Sequence, residues 1–177
     1  MTGQSRLGRA EFVALMAMLV ATVAFSIDAM LPALPRIGAE LTPDALNRAQ
    51  LVVTSFILGL GIGTLFTGPL SDSYGRKRVI LIGSGVYIFG AALAWAAPTL
   101  ELMIAARIVQ GLGAAAARIV ALAIVRDLYS GREMARLMSF VMMVFTLVPA
   151  ISPLAGSVVI GIAGWRMIFA CFAVFAL

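Results

Sequence analysis

Long apolar runs alternate along this chain with short polar stretches that carry most of its charge. Run length is the first clue. A helix rises 1.5 Å per residue, so crossing the roughly 30 Å hydrocarbon core of a bilayer takes about 20 mainly apolar residues. Five segments meet that requirement: approximately Phe12 to Leu34, Gln50 to Pro69, Val79 to Ala97, Leu102 to Val125 and Leu137 to Ala163. A sixth starts at Met167 and reaches Leu177 after eleven residues, short of a crossing, and is expected to be an incomplete helix of a cut chain. The run that follows Arg6 and Arg9 is too long for a secretory leader, and no small-x-small cleavage site precedes Pro32. It reads as a retained helix. The expected architecture is all-α and multi-pass, a single transmembrane domain over residues 1–177.

The polar connections set how these helices pair. The stretch from Pro35 to Arg48 is moderately long and the turn at Pro98 and Thr99 is minimal, so neighbouring helices should pack as antiparallel hairpins. The second segment carries Gly59, Gly61, Gly63 and Gly68; the fourth carries Gly111, Gly113 and Ala114 to Ala117. In lipid, such surfaces let two backbones approach closely.

Composition agrees. Hydrophobic residues make up 62% of the 177, above the roughly 45 to 50% of soluble domains. Charged residues are only 12% and gather between the apolar runs, where a soluble bundle would spread them along one face of each helix. The net charge of +5 therefore belongs to a membrane and not to a nucleic-acid partner, which would require a Lys/Arg face with interleaved polar or aromatic groups. With one cysteine, Cys171, and no histidine, neither a disulfide nor a metal cluster can be built, and the usual general base is missing. No catalytic residue, metal ligand or cofactor is expected, and an enzyme is disfavoured.

Orientation follows from the cations. With the N-terminus inside, the cytoplasmic stretches hold Arg6, Arg9, Arg76, Lys77, Arg78, Arg126, Arg132 and Arg136, against Arg36, Arg48 and Arg166 outside. The positive-inside rule then places the N-terminus in the cytoplasm, in a cell membrane.

Two cations and one acid remain within the apolar segments, where each marks a functional site by default. Asp28 lies about six residues before the outer end of the first segment and Arg107 about six after the outer start of the fourth, so both sit roughly 9 to 10 Å deep. Equal depth permits an ion pair. Desolvation favours a protonated carboxylate and a nearby guanidinium favours an ionised one, so the site can exchange a proton for a polar or cationic ligand; a static pair ordering two helices is the plainer alternative. Arg118, eleven positions after Arg107, returns almost to the same helical face and should look into the same cavity, either lining it or snorkelling to the inner surface. Gln110, one turn from Arg107, is its expected hydrogen-bonding neighbour.

Two proline pairs mark helix breaks, Pro32 with Pro35 and Pro149 with Pro153, the second pair followed by Gly156. Each proline removes a backbone donor, and interrupted helices beside polar sites are typical of secondary transporters. Between the second and third segments runs Gly68-Pro-Leu-Ser-Asp72-Ser-Tyr-Gly75-Arg76-Lys77-Arg78, a turn with one acid near its start, a glycine at its bend and three cations at its end.

The spacing of Gly68, Leu70, Asp72, Gly75, Arg76 and Lys77 resembles the signature loop of the major facilitator superfamily, with Ser73 where a cation is common. Arg107, Gln110, Gly111 and Gly113 are similar to that family's fourth-helix motif, in which the arginine is associated with proton coupling. Pro153 and Gly156 resemble its antiporter motif, although Ser152 and Ser157 stand where glycines are usual. Asp28-Ala-Met-Leu-Pro32-Ala-Leu-Pro35, with Val125-Arg126-Asp127-Leu128-Tyr129, looks most like the bicyclomycin-resistance type of drug:proton antiporter. The resemblance implies the N-terminal half of a twelve-helix transporter, built as a 3+3 inverted repeat and missing its C-terminal six helices. It also implies efflux of small, often amphipathic drugs driven by the proton gradient. Asp28 would carry the proton with Arg107 as charge partner, and Asp72 with Arg76 to Arg78 would form a gate latch. The alternatives are a non-transporting fragment, a half-transporter acting with a second chain, or a metabolite exporter of the same superfamily.

Overall fold

The computed structural model describes residues 8–176, and among them every regular element is helical. Arg6 and Leu177 lie outside the described residues. The helices are α1 (Arg9–Asp28), α2 (Leu34–Leu41), α3 (Leu51–Tyr74), α4 (Arg76–Trp95), α5 (Leu100–Leu128), α6 (Gly131–Ala163) and α7 (Met167–Phe175). Single 3-10 turns occupy Leu31–Ala33 and Leu46–Gln50. Five stretches are long and apolar enough to cross a membrane.

α5 is the central helix, packed between α3 and α4 and against α1. Two glycines explain the sandwich. Gly111 and Gly113 are two residues apart and point to nearly opposite sides of the helix. A Cβ on Gly111 would strike the Phe56 carbonyl of α3, and one on Gly113 would strike the Tyr87 backbone of α4. The neighbours contribute matching gaps. Gly59 abuts the Ile108 backbone, a Cβ on Gly63 would lie 2.7 Å from the Ala115 methyl, and one on Gly90 would lie 2.5 Å from the Gln110 nitrogen. Backbone-to-backbone contact of this kind replaces the hydrophobic drive that lipid cannot supply. Many large apolar side chains, among them Leu65, Phe66, Leu81, Ile82, Leu154 and Ile162, are exposed on the outside of the bundle.

α1 ends at Asp28 because Pro32 has no N–H for the Asp28 carbonyl, and its ring crowds that carbonyl. Leu31, directly before the proline, starts a 3-10 turn instead of continuing the α-helix. The chain takes one 3-10 turn and re-enters a helix at Leu34, with Pro35 in the first turn of α2, where a missing donor is harmless. So the first segment, expected as one helix to Leu34, is split. The stretch from Pro35 to Arg48 is itself mostly helical.

Two further boundaries differ from the hydropathy reading. The signature stretch from Gly68 to Arg78 is hardly a loop: α3 continues through Pro69 to Tyr74, α4 begins at Arg76, and the whole turn is Gly75, at φ +89°. Hydropathy marks only what lies in hydrocarbon, whereas helical hydrogen bonding satisfies the backbone just as well in the polar layer beyond. Pro149 and Pro153 sit inside α6 without ending it. At membrane depth no water competes for the backbone, so a helix missing two bonds still leaves fewer groups unsatisfied than an irregular segment.

Gly111→Ala should lower the melting temperature of the detergent-solubilised protein, since overpacking against backbone costs about 1–3 kcal/mol. Gly61→Ala, with open space at its Cβ, should leave it unchanged; thermal unfolding followed by size-exclusion chromatography reads both.

Candidate functional site

The end of α1 leaves backbone carbonyls without helical partners, and the fold answers with a cation. Phe25 O accepts from Ala29 N at 3.1 Å and Ile27 O from Met30 N at 3.3 Å. Ser26 O is taken by Arg107, whose Nη2 donates to it at 2.9 Å. The same guanidinium donates from Nε to Val52 O of α3 at 3.1 Å and from Nη1 to Gln110 Oε1 at 2.7 Å. Arg107 has no exposed surface at all, and no carboxylate touches it among the described residues.

A buried cation without an anion requires other compensation. Part comes from the negative end of the α1 dipole, at which the guanidinium sits. Part comes from aromatic faces: the guanidinium carbon is 4.3 Å from the Phe56 ring centre and 5.9 Å from those of Phe169 and Phe172. The planar fork suits this geometry, with donors spread over three acceptors on three helices.

Around it runs a polar network. Ser26 Oγ donates to Thr22 O at 2.6 Å and shares a 2.6 Å bond with the Tyr87 hydroxyl of α4. Gln110 turns Oε1 to Arg107, which leaves its Nε2 buried and without a hydrogen-bond partner. That orphan donor, with the two guanidinium N–H groups not used above, leaves spare donor capacity inside the bundle.

Asp28, two residues along α1 from Ser26, is half-buried and makes no ion pair or side-chain hydrogen bond among the described residues. The pairing that equal depth permits is not formed. Two residues turn a helix by about 200°, so the helix that offers Ser26 to Arg107 aims Asp28 elsewhere. Nor do Arg107 and Arg118 share one cavity: Arg118 is half-buried and lies over Phe145 of α6, 5.7 Å from its ring centre.

The signature turn places its charges unequally. Arg76 donates from Nη1 to Asp72 Oδ1 at 2.8 Å and to Ser71 Oγ at 2.5 Å, and from Nε to Asp127 Oδ2 at 3.0 Å. Lys77 and Arg78 are exposed and make no such contact among the described residues. Gly68 meets nothing at its Cβ position, so its role is not packing within these helices. At the opposite end of the bundle, Glu40 accepts from Trp165 Nε1 at 2.7 Å and from Arg166 Nη1 at 2.5 Å. Arg166 also donates to Ala97 O at 3.3 Å, joining α2 to the turns before α5 and α7. Pro149 and Pro153 are half-buried in α6, and Gly156 packs directly on the Ala29 carbonyl just past the end of α1. The proline-broken helix and the proline-bearing one thus meet.

Sequence reasoning missed Ser26, Tyr87 and Asp127 as site members, as well as Glu40, Trp165 and Arg166 at the other end. Some had a visible signal. Thr22 and Ser26 are spaced four apart in an otherwise apolar helix, and Tyr87 is a tyrosine in mid-segment, away from the interfaces where the others stand.

A cavity of about 830 Å³ opens between α1, α4, α5 and α7, with Thr22 and Tyr87 in its wall, but neither Asp28 nor Arg107 lines it.

Comparison with known proteins agrees with this arrangement. The sequence profile described as Major Facilitator Superfamily matches residues 14–177. An uncharacterized MFS-type transporter, YdgK of Bacillus subtilis, is 33% identical over 95% of this chain and 41% of its own length. A bicyclomycin resistance protein homolog of Haemophilus influenzae is 34% identical over 82% of this chain and 36% of its own. A chloramphenicol resistance protein of Pseudomonas aeruginosa is 36% identical over 81% and 34%. The chain thus spans about two fifths or less of the length of these relatives. In three dimensions, the crystal structure of a D-xylose-proton symporter matches with a TM-score of 0.74 at 19% identity, over 93% of this chain and 44% of that one. The described helices therefore fit one half of that fold.

Ser26→Ala and Tyr87→Phe should each destabilise the protein by about 1 kcal/mol, the typical net worth of a buried hydrogen bond. Because the two side chains share one bond, the double variant should lose less than the sum, as a double-mutant cycle of denaturant unfolding in detergent would report.

Proposed function

This chain belongs to the Major Facilitator Superfamily, and from that membership we propose that the protein containing it exports small drug-like molecules in exchange for protons. Membership makes it part of a multi-pass membrane transporter and not an enzyme. The antiport reading rests on one observation above the rest: Asp28 is an ionisable group at membrane depth that no cation neutralises among the described residues, at the broken end of α1 that Arg107 holds. A carboxylate in that position is costly when ionised and gains by taking a proton, which is the property a proton carrier needs. The resistance proteins among its relatives support drugs as the cargo.

In this reading the N-terminus is cytoplasmic, a placement the cation distribution supports, and the membrane is the cell membrane. These helices are the N-terminal half, and a second six-helix half completes the cavity. Protonation of Asp28 removes the charge next to the α1 break and changes how the Ser26 carbonyl is presented to Arg107. The half then shifts between two packings, each favoured by one ligand, proton or drug. Gln110, with its spare donor, is the group available to a polar ligand when the guanidinium changes partners. Arg76, bridged to Asp72 and Asp127, is the cytoplasmic latch, while Lys77 and Arg78 remain available to phospholipid headgroups or to the second half.

Transport by the full-length protein in vesicles tests the proposal. An imposed pH gradient should drive accumulation of chloramphenicol, an uncoupler should abolish it, and Asp28→Asn should reduce it to the level of empty vesicles. Accumulation that persists in Asp28→Asn, or under the uncoupler, would contradict proton coupling through this residue.

A further inference from the structure

Arg118 has no part in the coupling route proposed above, yet it is a cation within a membrane-length helix. It stands ten residues before the end of α5, about 15 Å along the helix from that end and inside the apolar segment. No carboxylate pairs with it among the described residues.

Its guanidinium lies over the Phe145 ring of α6, and Phe145 is fourteen residues beyond the start of that helix, about 21 Å along it. Only Tyr129 and Ser130 separate the two helices, so both distances run from the same surface, the cytoplasmic one in the orientation proposed above. The contact with the ring holds the guanidinium within the apolar part of the bundle.

The place is also open. α5 and α6 touch sparingly, each packing instead against α1, and both Arg118 and Phe145 are only half-buried. Pro149 has no N–H to give the Phe145 carbonyl, so an acceptor is freed beside the same ring. A half-buried cation and an aromatic face thus meet between α5 and α6.

We propose that Arg118 and Phe145 form a substrate subsite for aromatic anions, the guanidinium taking a carboxylate or similar anionic oxygen while the Phe145 ring packs against the arene. Arg118 then selects for acidic or neutral cargo and against cations, which it repels. The role in export rests on the efflux reading, but the binding chemistry does not. A carboxylate from the remainder of the protein is the competing occupant.

Equilibrium binding to the full-length protein in nanodiscs decides between them, with salicylate as the anion and salicylamide as its neutral counterpart. Arg118→Gln should weaken salicylate about tenfold or more and leave salicylamide within about twofold, while Arg118→Lys should keep most of the salicylate affinity. Phe145→Ala should weaken both probes. No binding of salicylate by the parent protein, or equal loss of both probes in Arg118→Gln, would overturn the subsite. If Arg118→Gln fails to fold, Arg118→Lys carries the test: a folded Lys variant that prefers salicylamide to salicylate assigns Arg118 to an internal ion pair and overturns the proposal. Salicylate binding that depends on Arg118 but is never moved by a pH gradient upholds the subsite and defeats the efflux reading instead.

Discussion

The structure turns on a buried guanidinium that has no carboxylate beside it among the described residues. Arg107 is held by the carbonyls of Ser26 and Val52 and by Gln110, beneath the rings of Phe56, Phe169 and Phe172. Each acceptor sits on a different part of the bundle, so the group joins α1, α3 and α5 at one point. The arrangement works only because α1 breaks. A proline four residues past Asp28 ends the helix, the carbonyls before it fall free, and the negative end of the helix dipole is turned toward a cation that needs it. Charge burial and helix interruption would each be costly alone; together they offset one another.

The tight packing of α5 makes this possible. Gly111 and Gly113 bring α3 and α4 within backbone contact on two sides, which sets the Val52 carbonyl of α3 beside Arg107. Gly156 does the same for α6 against the end of α1. The bundle is fastened at both surfaces by charges of a different kind, Arg76 with Asp72 and Asp127 at one end and Glu40 with Trp165 and Arg166 at the other. These are partly exposed, and exposed pairs contribute little to stability. Their use is to set which ends stay together.

Much of this was legible in the sequence, and the reasons for the rest are physical. Apolar run length revealed five spans, since lipid imposes a minimum length that soluble folds do not. Helix ends were less legible, because hydrogen bonding carries a helix past the hydrocarbon boundary, as at Tyr74 and Arg76. Arg107 and Gln110 were recognisable from their cost and their one-turn spacing. Their partners were not: two are backbone carbonyls, which any residue possesses, and depth alone pointed to Asp28, which lies about 200° around α1 from the carbonyl used. Periodicity similarly put Arg118 on the face of Arg107 without showing that a different helix, α6, borders it there.

The claim that the fold depends on a guanidinium fork, and not merely on a positive charge, is tested most directly by the unfolding free energy of Arg107→Lys compared with Arg107→Gln in the full-length protein. Lysine keeps the charge but cannot span the three acceptors, so both variants should be destabilised to a similar extent, by about 1–3 kcal/mol for each acceptor left unsatisfied. Stability of the lysine variant equal to that of the parent would contradict the account.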